Sequence, residues 1–118
     1  MRCEPFDKLK IDYLFRGVLF RFPASHPFEN VVDFMIFDTP HSPSGYGVIT
    51  VTGYCAGMIE ILLPQESNFI HPDPNRPVKA ISTKWLKSNW RKWVYDVTPS
   101  KVMVCVNGRA KPIMPRLV

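Results

Sequence analysis

Past residue 75 this chain has a single acidic side chain, Asp96, against ten lysines and arginines. The first 75 residues reverse the balance, with nine acids and five cations. The net charge of +5 therefore conceals an acidic first part joined to a basic last third. Such a split bears on association and not on fold: either it attracts an acidic partner or it simply keeps the protein soluble. Other scarcities exclude whole classes. No stretch approaches the ~18 consecutive apolar residues of a membrane span. The opening MRCEPFDKLKIDYLF breaks up its apolar residues with charges and Pro5, unlike a secretory signal. Cysteine is rare and odd in number. Cys3, Cys55 and Cys105 are widely spaced with no C-x-x-C pair, which reads as a soluble protein of a reducing compartment, the cytoplasm. The six glycines form no phosphate cradle, because neither PSGYG nor TGYCAG follows a strand and opens a helix.

What is present fits a packed globule. At 118 residues, 46% apolar and 13% aromatic, the chain suffices for one domain, held together without metal or disulfide. We expect that domain over residues 1–107 and a loose C-terminal tail over 108–118, where NGRAKPIMPRLV offers a turn, two prolines and no alternation. Strands are predicted at 17–23, 57–64 and 101–106, where apolar residues alternate, at 31–38, apolar enough on both faces to be central, and at 45–52 after the turn-rich TPHSPSG. In the fourth of these, Ile59, Ile61 and Leu63 are expected on one face, with Glu60 toward water. The short GYCA link before it suits an antiparallel hairpin. Residues 65–81, with three prolines, make a long connection, either functional or a passive surface insertion.

One helix is expected, from Ser82 as N-cap. At 100° per residue, Trp85, Leu86, Asn89, Trp90, Trp93 and Val94 fall on one half, while Lys84, Lys87, Ser88, Arg91 and Lys92 take the other. Stacking aromatics for nucleic acid would stand beside the cations, where base and phosphate are met together. These tryptophans face away from them, so Trp90 and Trp93, with Leu86, are read as anchors on the sheet and Trp85 as partly exposed. The stripe Lys84, Lys87 and Arg91 is either a solvated face or a docking surface for something acidic. Four strands, a helix and a strand, without strand–helix alternation, predict an α+β fold: a strongly curved antiparallel sheet or small open barrel of about five strands, with the helix between the fourth and fifth.

Catalysis finds little support. His26, His41 and His71 lie in proline-rich loops, with no Cys, Asp or Glu at metal-ligand spacing. Cys55 lacks an evident base to activate it. No catalytic residue, metal site or cofactor is expected.

Together, RGVLFRFP, ENVVDFMI, GYGVITVTGYCAGMIEILLPQESN and ISTKWLKSNWRKWVY resemble the immunity protein 45 family of bacterial polymorphic toxin systems, over about residues 16–106. The resemblance implies a non-enzymatic antidote that binds and neutralises a cognate toxin domain in the bacterial cytoplasm, with no membrane role. Partner-binding candidates are Tyr54 in the hairpin, Glu66 and Asn68 in the long loop, and the stripe Lys84, Lys87 and Arg91. The acidic set Glu29, Asp33, Asp38, Glu60 and Glu66 is the alternative surface. The competing class is a small basic nucleic-acid-binding barrel, favoured by a pI near 9.3 and opposed by the tryptophan placement.

Overall fold

The computed structural model describes residues 2–106, so the expected tail at 108–118 lies outside the described residues. The strands are β1 (Arg2–Pro5), β2 (Tyr13–Leu14), β3 (Leu19–Pro23), β4 (Val31–Asp38), β5 (Tyr46–Thr50), β6 (Ile59–Leu62), β7 (Ile81–Ser82) and β8 (Met103–Val106). One helix, α1 (Thr83–Asn89), runs on into a π turn over Trp90–Val94. Six strands form one antiparallel sheet in the order β1-β8-β3-β4-β5-β6, and β2 pairs with β7 beside it. The α+β class and antiparallel pairing are as expected, with six strands in the main sheet instead of about five. The sheet does not close into a barrel, because β1 and β6 remain its two edges.

Alternation along each strand gives the sheet two unlike faces. Phe20, Phe22, Val32, Phe34, Ile36, Tyr46, Val48 and Val104 point to one side and are buried. Leu86 and Trp90 close over them, joined by Phe6, Leu9, Leu14 and Val102. Trp90 is the centre of this core. Its ring lies 5.6 Å from Phe6, 4.8 Å from Phe20 and 5.6 Å from Phe22, centroid to centroid, within the range where aromatic pairs attract. The helix starts as its sequence predicts: the Ser82 hydroxyl accepts a hydrogen bond from the Trp85 N–H at 3.1 Å. Its second half departs. The i→i+5 bond from Tyr95 N–H to Trp90 O takes an extra residue into the turn and rotates Trp93 off the core face. Trp93 is therefore half-buried against Trp85, at 5.8 Å, and is not an anchor.

The other side of the sheet carries an apolar row across all six strands. In register, Cys3 faces Cys105, Cys105 faces Leu19, Leu19 faces Met35, Met35 faces Ile49 and Ile49 faces Ile59. A second row sets Phe37 beside Gly47 and Leu62. The Phe37 ring rests on Gly47, where an added Cβ would come within 2.7 Å of it. A third sets Met103 beside Arg21 and Asp33, whose side chains form a two-pronged ion pair at 2.8 and 2.9 Å. These residues are half-buried or exposed, apart from Gly47 under its ring and the paired Asp33. The buried core lies wholly on the opposite side, and among the described residues this face has no covering layer.

Two expectations are corrected here. The face assignment in β6 fails because the ladder slips between Val48 and Ile49. This bulge puts an extra residue into β6, so Glu60 and Ile61 both turn inward. Glu60 accepts a hydrogen bond from the buried Thr50 hydroxyl at 2.7 Å, Ile61 packs on the core, and Ile59 and Leu62 are left outside. The expectation that the fold involves no disulfide is corrected as well. Cys3 and Cys105 are bonded, 102 residues apart in sequence, because β1 and β8 set them directly opposite each other. Only Cys55 among the three is free.

Candidate functional site

The six candidate residues do not assemble into one surface. Tyr54 stands on the 3-10 turn Gly53–Cys55 that links β5 to β6. Its side chain is 84% exposed, yet the backbone beneath it is held firmly. The Glu29 carboxylate accepts the Tyr54 N–H at 2.6 Å. Gly53 has φ +72, a left-handed backbone that favours glycine, and an added Cβ would meet that same carboxylate. Below it Cys55 is buried with its thiol toward Pro27 O, which removes it as an exposed nucleophile.

Glu66 is exposed in the 3-10 turn Gln65–Ser67, which packs against α1. Asn68 is half-buried and structural in its contacts. Its side-chain amide donates to Ser44 O at 3.1 Å, and its backbone bridges to Ile81. With Phe69 N–H donating to Ala80 O, this pins the two ends of the long loop together. What projects is the proline-rich middle, including an almost fully exposed Ile70.

The cation stripe dissolves in three dimensions. Lys87 donates to Leu9 O at 2.5 Å and so ties α1 to the N-terminal segment. Arg91 is paired with Asp96 at 2.9 Å across the π turn. Lys84 alone of the three is exposed without a hydrogen bond or ion pair among the described residues. The acidic alternative is dispersed in the same way: Glu29 holds the Tyr54 turn, Glu60 holds Thr50, Asp33 pairs with Arg21 and Asp38 pairs with Arg16 at 2.8 Å. Hydrogen bonding to their aspartates makes both arginines still more basic than usual. Burial pushes the Tyr46 hydroxyl up, and it donates to Lys79 O at 2.8 Å. Near the sheet, two of these acids are thus paired with arginines and two are held by hydrogen bonds from neutral groups.

Sequence reasoning misses the open face. Its most exposed apolar residues, Val31 at 52% and Ile59 at 56%, lie toward the end that adjoins the Tyr54 turn, while Leu62 and Met103 are less exposed elsewhere on it. The available signal is the apolar character of both alternating sets in VVDFMIFD and GYGVIT, a pattern that also describes a strand buried on two sides. Chemically this surface offers shape and apolar area. Among the described residues no three His, Cys, Asp or Glu side chains converge to hold a metal, and no helix is long and apolar enough to cross a membrane.

The family model described as Immunity protein 45 matches residues 7–104, most of the chain. No curated protein and no solved structure matches it.

Proposed function

The chain belongs to the immunity protein 45 family, and from that membership we propose that it is an antidote: it binds a cognate toxin domain and blocks it by occupancy, without chemistry of its own. The family match over residues 7–104 is the observation that carries this reading. The fold suits the role. A core centred on Trp90 gives a rigid scaffold, and rigidity before binding lowers the ordering cost of association. The indoles are engaged with one another or with the core, so they do not offer the open stacking platform that a single-stranded nucleic acid would need.

In this reading the protein works in the bacterial cytoplasm, beside the toxin as it is made. Thiols there are kept reduced. The β1–β8 ladder pairs Arg2 with Val106 through to Pro5 with Met103, and its hydrogen bonds hold the end strands together without the cysteine bond. The test is co-expression with the toxin domain encoded by the adjoining gene. Growth should be rescued, and the purified pair should run as one complex in size-exclusion chromatography. Continued killing, with no complex formed, would refute the antidote assignment.

A further inference from the structure

Among the described residues, no element packs over the open face of the sheet. Its central row, Leu19, Met35, Ile49 and Ile59, is apolar from one strand to the next, and its charged members, Arg21 and Asp33, already satisfy each other. A surface with paired charges and an apolar middle has nothing to offer a nucleic acid or an anionic lipid headgroup, both of which are gripped by uncompensated cations. It suits another protein.

Its size narrows the choice. One row of side chains across six strands and two more across three strands each, with strands ~4.8 Å and rows ~7 Å apart, give roughly 400 Å². The Tyr54 turn extends this toward the ~800 Å² that one partner contributes to a standard specific interface. Obligate homodimers bury more than ~1,000 Å² per subunit. Tyr54 argues in the same direction. A tyrosine held out on a locked turn is a preordered anchor, and such aromatic anchors bind by filling a pocket on the partner. Neither the cleft among Asp38, Thr39, Ser44 and Lys79 nor the one in the long loop between Phe69 and Arg76 includes a residue of this face, so neither would serve a second copy stacked face to face.

We infer that the open sheet face, with Tyr54 as the protruding anchor at its end, is where the toxin domain docks, and that the toxin's matching surface is apolar, carries little net charge and holds a socket for a phenol ring. This rests on the antidote reading above. It moves the expected interface away from the helix stripe and the long loop.

The experiment pairs the protein with the toxin domain encoded by the adjoining gene and compares the parent with Tyr54→Ala, Ile59→Glu and Lys84→Glu. All three side chains are exposed, so urea midpoints should match the parent and report intact folding. Tyr54→Ala and Ile59→Glu should each weaken binding by about 30-fold or more, as loss of an interface anchor does. Lys84→Glu should leave Kd unchanged, and the parent Kd should shift little between low and high salt. Amide exchange should slow in β4, β5 and β6 on binding. If the parent protects cells while both face variants bind as tightly as it does, the docking inference is wrong and the antidote reading stands. Protection from exchange confined to α1 or the long loop would overturn the docking inference in the same way. Sedimentation of the protein alone as a dimer that Ile59→Glu dissociates would assign the face to a second copy and also overturn it. Failure of the parent to bind the toxin domain overturns the antidote reading itself, and the docking inference falls with it.

Discussion

One side of the main sheet is crowded with aromatic rings and sealed by α1; the other holds side chains just as apolar and is left open. Phe20 and Phe22 of β3 lie under Trp90, whereas Leu19 in the same strand and Met35 opposite it in β4 meet no second layer among the described residues. Apolar character alone therefore does not mark the core. What separates the faces is whether another element carries complementary side chains to them, and among the described residues the helix and the segment around Phe6 and Leu9 do so for one side only. The closed face accounts for stability, and the open one is available for association.

The contrast can be broken most severely at Trp90. Trp90→Ala should cost about 3–5 kcal/mol, the range for emptying a large aromatic site, read as a drop in the urea midpoint. A loss below ~1 kcal/mol would mean that the closed face does not depend on its central ring. Next is the one covalent element on the open face. In oxidised protein Cys105→Ser should cost about 2–4 kcal/mol, since the bond closes most of the chain into a loop. With reductant present the difference from the parent should vanish, and a variant indistinguishable under both conditions would show that the end strands need no such tie. Glu29→Ala should cost ~1 kcal/mol through loss of the charged acceptor for Tyr54 N–H. Its larger effect should be on binding, by loosening the turn that presents the phenol. Equal toxin affinity to the parent would separate the anchor from its support. The smallest effect is expected at Lys84→Glu, within about 0.5 kcal/mol by denaturation.

Much of the closed face is legible in the sequence. Strand β4 has the bounds its apolar run predicts, β3 and β5 fall inside theirs, and Ser82 caps the helix as its hydroxyl suggests. The failures have physical causes. β1 escapes notice because RCEP does not alternate and its partner is about a hundred residues away, so no local pattern announces it. Trp93 is misplaced because a wheel drawn at 100° cannot anticipate a π turn. The cation stripe looks free because the groups that engage it, Leu9 O and Asp96, belong to other segments. Tyr54 stands out as a candidate, but the carboxylate that fixes its turn comes from Glu29, 25 positions earlier.

The bulge in β6 reaches beyond which way Glu60 points. An open sheet ends in strands whose outer backbone groups can recruit further strands, and a chain with an apolar face is the kind that stacks into fibres once its edges begin to add. Bulged edges resist this by twisting away from a flat template. Deleting Glu60 would return β6 to simple alternation, with Ile59 and Leu62 still outside and Leu63 still inside, and would leave the Thr50 hydroxyl buried without an acceptor. Such a one-residue deletion would straighten the edge while leaving the open face as it is. By this argument the extra residue works against strand addition along the β6 edge.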